Sequence, residues 1–158
     1  MQYTNEQIDA FKAEFNETKA NLSEMVNDRV LGGFSVGIYA PLQFIRIDAL
    51  DPKDHPNNIS ENSVFVEFEI DLVERKVALH RTGHVYLSPK DANSPQYRYM
   101  LMKSVQEVAE DKGVKKFRKS KFKDAKQLAT KMAEYYNKVM QCVTEYTGGY
   151  PYKQGVEK

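Results

Sequence analysis

Ser63-Val64-Phe65-Val66-Glu67-Phe68-Glu69-Ile70-Asp71 sets Val64, Val66, Phe68 and Ile70 in alternation with Phe65, Glu67 and Glu69. A side-chain period of two, apolar on one parity and largely acidic on the other, is the pattern of a strand with one buried and one wetted face. Glu74-Arg75 stands where a hairpin turn is needed, and residues 76–87 return as a second strand. Val77, Leu79, Val85 and Leu87 share one parity there; Lys76, Ala78, His80, Thr82, His84 and Tyr86 share the other. Gly83 is the expected place for a bulge or a close contact.

Upstream, Phe34, Val36 and Ile38 alternate with Ser35, Gly37 and Tyr39, which predicts a strand over 34–39, and Pro41 then favours an edge, a bend or a turn. Residues 42–49 read as a further strand with competing apolar sets, Leu42 and Phe44 against Ile45 and Ile47. Asp51 to Glu61, with two prolines and a run of Asp and Asn, is a loop. The strands together make an antiparallel sheet of four or five members.

Helical periodicity brackets this block. Thr4 and Gln7 have the spacing of a capping box, and Ile8, Phe11, Phe15, Leu22 and Met25 then share a face, with Thr18 filling the gap, so a helix is predicted over 5–27. Gly32-Gly33 interrupts the pattern. Ser94-Pro95 predicts the start of a second helix, with Tyr97, Leu101, Val105 and Val108 as its stripe and Glu110 to Gly113 as its end. Phe122, Ala125, Leu128, Ala129, Met132, Tyr136, Val139 and Val143 predict a last helix over 121–146. Grouped strands flanked by helices argue for an α+β fold: an N-terminal helix, the sheet, and two C-terminal helices packed on one sheet face. The chain, 1–158, is expected to be one compact domain, with 150–158 a tail free to pack through its tyrosines or to stay flexible.

Composition fits that reading. Hydrophobic residues make up 41% of the 158 and charged residues 28%, ordinary for a globular domain. No apolar run approaches the ~20 residues of a membrane span. The single cysteine, Cys142, rules out an internal disulfide and fits a reducing, cytoplasmic setting. Net charge is +1 but unevenly distributed: residues 1–96 carry 15 acidic and 9 basic side chains, net −6, whereas 97–158 carry 7 acidic and 14 basic, net +7. Such a dipole steers partners of opposite charge.

The basic half concentrates its charge in Lys115-Lys116-Phe117-Arg118-Lys119-Ser120-Lys121-Phe122-Lys123. Lys115, Lys116, Arg118, Lys119, Lys121 and Lys123 are candidates for binding nucleic-acid phosphates or an acidic protein partner. Phe117 and Phe122 are either bases' stacking partners or core anchors, and Phe122 fits the apolar stripe of the last helix. Tyr135, Tyr146, Tyr150 and Tyr152 are candidate interface aromatics, since tyrosine joins contact area to a hydrogen-bonding tip. His80, His84 and Tyr86 are pocket candidates. Two histidines four apart in a strand stand about 13 Å from each other, too far to share a metal ion without a bulge.

No metal set, cofactor site or catalytic residue is predicted. Phosphate loops, nucleophile elbows, zinc spacings and calcium loops are all missing from the sequence. In size, mixed charge and lack of motifs the chain is similar to small bacterial and phage accessory proteins, inhibitors among them, a likeness that rests on no motif and carries over no functional residue. Three classes of function follow. The first is a non-catalytic interaction or accessory protein, an inhibitor or regulator, working through an interface with an acidic partner or a second copy. The second is a nucleic-acid binder using 115–123. The third is a small-molecule binder or enzyme with a pocket between sheet and last helix.

Overall fold

Thr4 and Gln7 close the expected capping box: the Gln7 amide donates to Thr4 Oγ1 at 3.1 Å and the Thr4 amide to Gln7 Oε1 at 2.9 Å. In the computed structural model, which describes residues 2–36, 41–49, 64–85 and 103–147, helix α1 runs from there over Asn5–Met25. It turns Phe15, Thr18 and Leu22 inward, and the Thr18 hydroxyl donates to the Glu14 carbonyl at 2.9 Å, so a polar residue fills the stripe without an orphaned group.

The strands are β1 (Arg29–Gly33), β2 (Leu42–Asp48), β3 (Phe65–Asp71), β4 (Lys76–Thr82), β5 (His84–Val85), β6 (Lys103–Ser104) and β7 (Ser120–Lys121). Helices α2 (Val105–Asp111) and α3 (Ala125–Thr147) complete the described elements. Five strands form one antiparallel sheet in the order β1-β2-β3-β4-β7, and β5 pairs with β6 separately. The fold is therefore α+β, with the helices packed on one face of the sheet. Ile45, Ile47, Val66, Phe68, Ile70 and Val77 present that face and are sealed from solvent, as are Leu128, Met132, Tyr136, Val139 and Val143 from α3. Each such side chain contributes about 1.5–3 kcal/mol.

Three expectations need correction. First, a strand precedes the span predicted at 34–39: β1 is Arg29–Gly33, Phe34–Val36 are irregular, and 37–39 lie outside the described residues. Gly32-Gly33 is strand rather than breaker, because a Cβ at Gly32 would stand 3.0 Å from the Phe44 carbonyl and 3.2 Å from the Phe15 ring. The glycine lets α1 approach the sheet. Second, the helix predicted from Ser94 through Glu110 does not include Lys103 and Ser104, which are strand. A second capping box, Ser104 with Glu107, starts α2 at Val105, while Ser94-Pro95 lies outside the described residues. Third, α3 starts at Ala125, not 121, because the Asp124 carboxylate accepts the Gln127 amide at 2.8 Å while Ser120 and Lys121 pair with β4. Of the two expectations for Gly83 the close contact holds: its amide donates to the Phe65 carbonyl and its carbonyl accepts from Val105. The bulge is at His80, since Glu67 faces Arg81 but Phe68 faces Leu79. The 51–61 loop and the 150–158 tail lie outside the described residues.

Candidate functional site

Helix α2 ends in a motif that aims the chain. Gly113 takes φ +94°, the left-handed region where a side chain would be strained; its amide donates to the Glu110 carbonyl and that of Val114 to the Ala109 carbonyl, both at 3.0 Å. The chain then runs as an irregular strap from Val114 to Lys119, joins the sheet edge as β7, and enters α3.

The strap is sewn down by its apolar residues. Phe117 meets Phe68 at 5.2 Å and Tyr135 at 5.3 Å between ring centroids, both edge-to-face, and Val114 is half-buried against the core. Phe122 is buried as the apolar stripe implied; its amide donates to the Arg75 carbonyl at 3.0 Å and the Arg75 guanidinium lies 4.9 Å over its ring. Arg75 also donates to the Lys123 carbonyl at 2.7 Å and grips Glu14 of α1 through both terminal nitrogens, at 3.0 and 2.5 Å. That ion pair raises its guanidinium pKa further, against a smaller opposing effect of burial. Arg75 does this from a left-handed turn conformation, φ 58°.

Pinned in this way, the strap turns Lys115, Lys116, Arg118 and Lys119 outward, with Lys121 and Lys123 exposed beyond it. Between the strap and α3 lies an open groove of about 660 Å³. Lys115, Lys116 and Arg118 line it; Lys119, Lys121 and Lys123 do not. The opposite wall is Lys131, Glu134, Tyr135 and Lys138, positions spaced to fall on one side of α3, and Lys112 stands at the α2 end. The lining thus holds six cations and one carboxylate. Among the described residues, Lys112 pairs with Glu145 at 3.5 Å, whereas Lys115, Lys116, Arg118, Lys131 and Lys138 join no ion pair, nor do Lys119, Lys121 and Lys123. Lys121 even sits directly across from Lys76, a like-charge pairing that weakens a sheet edge.

Tyr135 forms the floor. Only 7% of it is exposed, and its hydroxyl is buried with no hydrogen-bond partner among the described residues. Desolvation, helped by the negative charge of Glu110, pushes its pKa up to about 12. Of the other candidate aromatics, Tyr146 is half-buried with Lys103 5.8 Å over its ring, and Tyr150 and Tyr152 lie outside the described residues.

The histidines do not converge. His80 sits on the bulge with its ring 4.8 Å from Phe44 and Nδ1 3.8 Å from Glu69; His84 is exposed on β5; Tyr86 lies outside the described residues. Glu67 pairs with Arg81 at 2.6 Å. No cluster of three or more potential metal ligands occurs among the described residues. Between sheet and α3, Phe68, Leu128, Met132 and Tyr136 are sealed from solvent, and the Tyr136 hydroxyl donates to Asp28 at 2.5 Å. Among the described residues no helix is long and apolar enough to cross a membrane.

Reading the sequence segment by segment missed Lys131 and Lys138. The signal was present, since both flank the apolar stripe of α3 seven residues apart, but only the strap's return against that flank joins them to the 115–118 cations. Compared with known protein families, with characterised proteins and with solved structures, the chain matches none.

Proposed function

We propose that this is a non-catalytic binding protein, an accessory or regulatory factor, that recognises an acidic protein surface through the strap and its groove. One observation carries the reading: six cations and a single carboxylate line the groove, and five of those cations have no ion-pair partner among the described residues. A concentrated, uncompensated positive field in a concave surface draws and orients a negative partner. The two phenylalanines of the basic block support a protein partner over single-stranded nucleic acid. Phe122 is buried in the core, and Phe117, which also lines the groove, is held edge-to-face against Phe68 and Tyr135, so neither ring stands free as a stacking platform. The lone thiol, Cys142, buried and with its pKa raised chiefly by that burial, suits a reducing cytoplasm.

The test is a binding series across salt. Replacing Lys116, Arg118, Lys119 and Lys121 together by Gln is expected to weaken binding to an acidic protein or polyglutamate at least about tenfold at low salt, at up to about 1 kcal/mol per exposed pair. The difference should shrink as salt screens the wild-type field. Equal affinity of wild type and quadruple variant at every salt concentration excludes the strap as the interface. Tight duplex-DNA binding with a steep salt slope, and none to polyglutamate, favours nucleic acid instead.

A further inference from the structure

A buried hydroxyl without a partner is an unmet demand in the fold, and here it belongs to a residue that lines the most basic surface described. Tyr135 contributes its ring to the cluster with Phe68 and Phe117, and that packing holds it in place. The ring contacts account for burying an aromatic at this position; they do not account for the hydroxyl, which a phenylalanine would lack. With its pKa raised to about 12 the group stays protonated throughout the physiological range, so it is available as a donor and selects for an acceptor.

The strap sets the size of what fits. Val114 to Ser120 spans up to roughly 20 Å in extended form, so the groove suits a chain segment of several residues better than a single small anion. Its cations stand along the strap at 115, 116 and 118 and are answered from α3 at 131 and 138.

We propose that the groove takes an extended Asp/Glu-rich segment of the partner protein, and that seating this segment uncovers the Tyr135 hydroxyl, sealed in the free protein, which then donates to one carboxylate and fixes the register. The inference rests on the acidic-partner reading above and adds to it the ligand's form and a residue that senses position rather than charge.

Fluorescence anisotropy with the full chain and a labelled octaglutamate peptide tests both. An octaglutamine peptide and a DNA duplex of equal charge serve as controls. Octaglutamate is expected to bind and octaglutamine not to. Tyr135→Phe is expected to weaken octaglutamate binding about tenfold, in line with loss of a hydrogen bond to a charged group. The same substitution should raise the thermal midpoint of the free protein, because it removes an unsatisfied hydroxyl. Opposite signs in affinity and stability are what a purely structural role would not produce. Unchanged affinity in Tyr135→Phe, with affinity lost in Lys115→Gln/Lys116→Gln/Arg118→Gln, overturns the hydroxyl's role and leaves the acidic-partner reading standing. Unchanged affinity in both variants overturns the two together. Binding of the duplex but not of octaglutamate overturns the acidic segment as ligand.

Discussion

The outer face of the sheet and the strap both carry several cations, and they treat them in opposite ways. On the sheet face every described arginine has a carboxylate. Arg46 reaches Asp48 at 2.6 Å, Arg29 approaches the same group at 3.7 Å, and Arg81 pairs with Glu67 at 2.6 Å. Phe65, nearly buried, lies 3.7 Å beneath the Arg46 guanidinium and 5.2 Å from that of Arg81. Cross-strand register makes this possible: Arg46, Glu67 and Arg81 stand opposite one another on three neighbouring strands. On the strap, the consecutive lysines join no ion pair among the described residues, and a single carboxylate, Glu134, lines the groove beside them. Local composition is therefore a poor guide to free charge. What matters is whether the fold brings an opposite charge alongside, and in the sheet it does.

That contrast can be attacked from both sides. The largest effect is expected on the sheet face. Asp48 is fully buried, so Asp48→Ala removes the carboxylate that Arg46 and Arg29 share and should cost about 3 kcal/mol. A denaturant midpoint within error of wild type would show that the pairing is decorative. Next comes the residue that joins the two regions. Arg75→Ala breaks the Glu14 clamp and the bond to the Lys123 carbonyl, for an expected loss of about 2 kcal/mol and a weaker hold on any groove ligand. Arg75→Gly should lose up to about 1 kcal/mol less than Arg75→Ala, since glycine accepts φ 58° without strain. Equal melting curves for the two would remove the backbone from the account. Smallest is the strap itself. Lys115→Gln/Lys116→Gln/Arg118→Gln should shift stability by no more than about 0.5 kcal/mol, and upward if repulsion dominates. A loss of several kcal/mol would mean that these cations hold the fold together and are not reserved for a partner.

How much of this was legible in the sequence follows from how local each determinant is. Thr4 and Gln7 announced α1, the alternation at 64–70 announced β3, and the stripe ending in Val143 announced α3; each signal sits within a few residues of what it specifies. The pattern broke down where a distant contact decides. Gly32 reads as a breaker until Phe15 is laid against it. Gln43, polar in an apolar strand, is buried on the core face because its side-chain oxygen takes the Ser35 amide at 3.0 Å. Ser104 and Glu107 spelled a helix start as clearly as Thr4 and Gln7, but Ser94-Pro95, ten residues earlier, spelled another. The candidate site divides in the same way. Lys115, Lys116 and Arg118 were visible as a run, whereas Lys131, Lys138 and the buried Tyr135 join them only through tertiary packing.

Arg75 has one more consequence, for the order in which the molecule comes into being. Its two hydrogen-bond partners outside the hairpin are 61 residues before it and 48 after it. Contacts so far apart in the chain form late in folding. Arg75 makes both contacts only once α1, the β3–β4 hairpin and the entry to α3 have all met at this side chain. A chain still emerging from the ribosome, or one partly unfolded, has the same lysines but no groove. Recognition by this surface would thus double as an inspection of the finished fold.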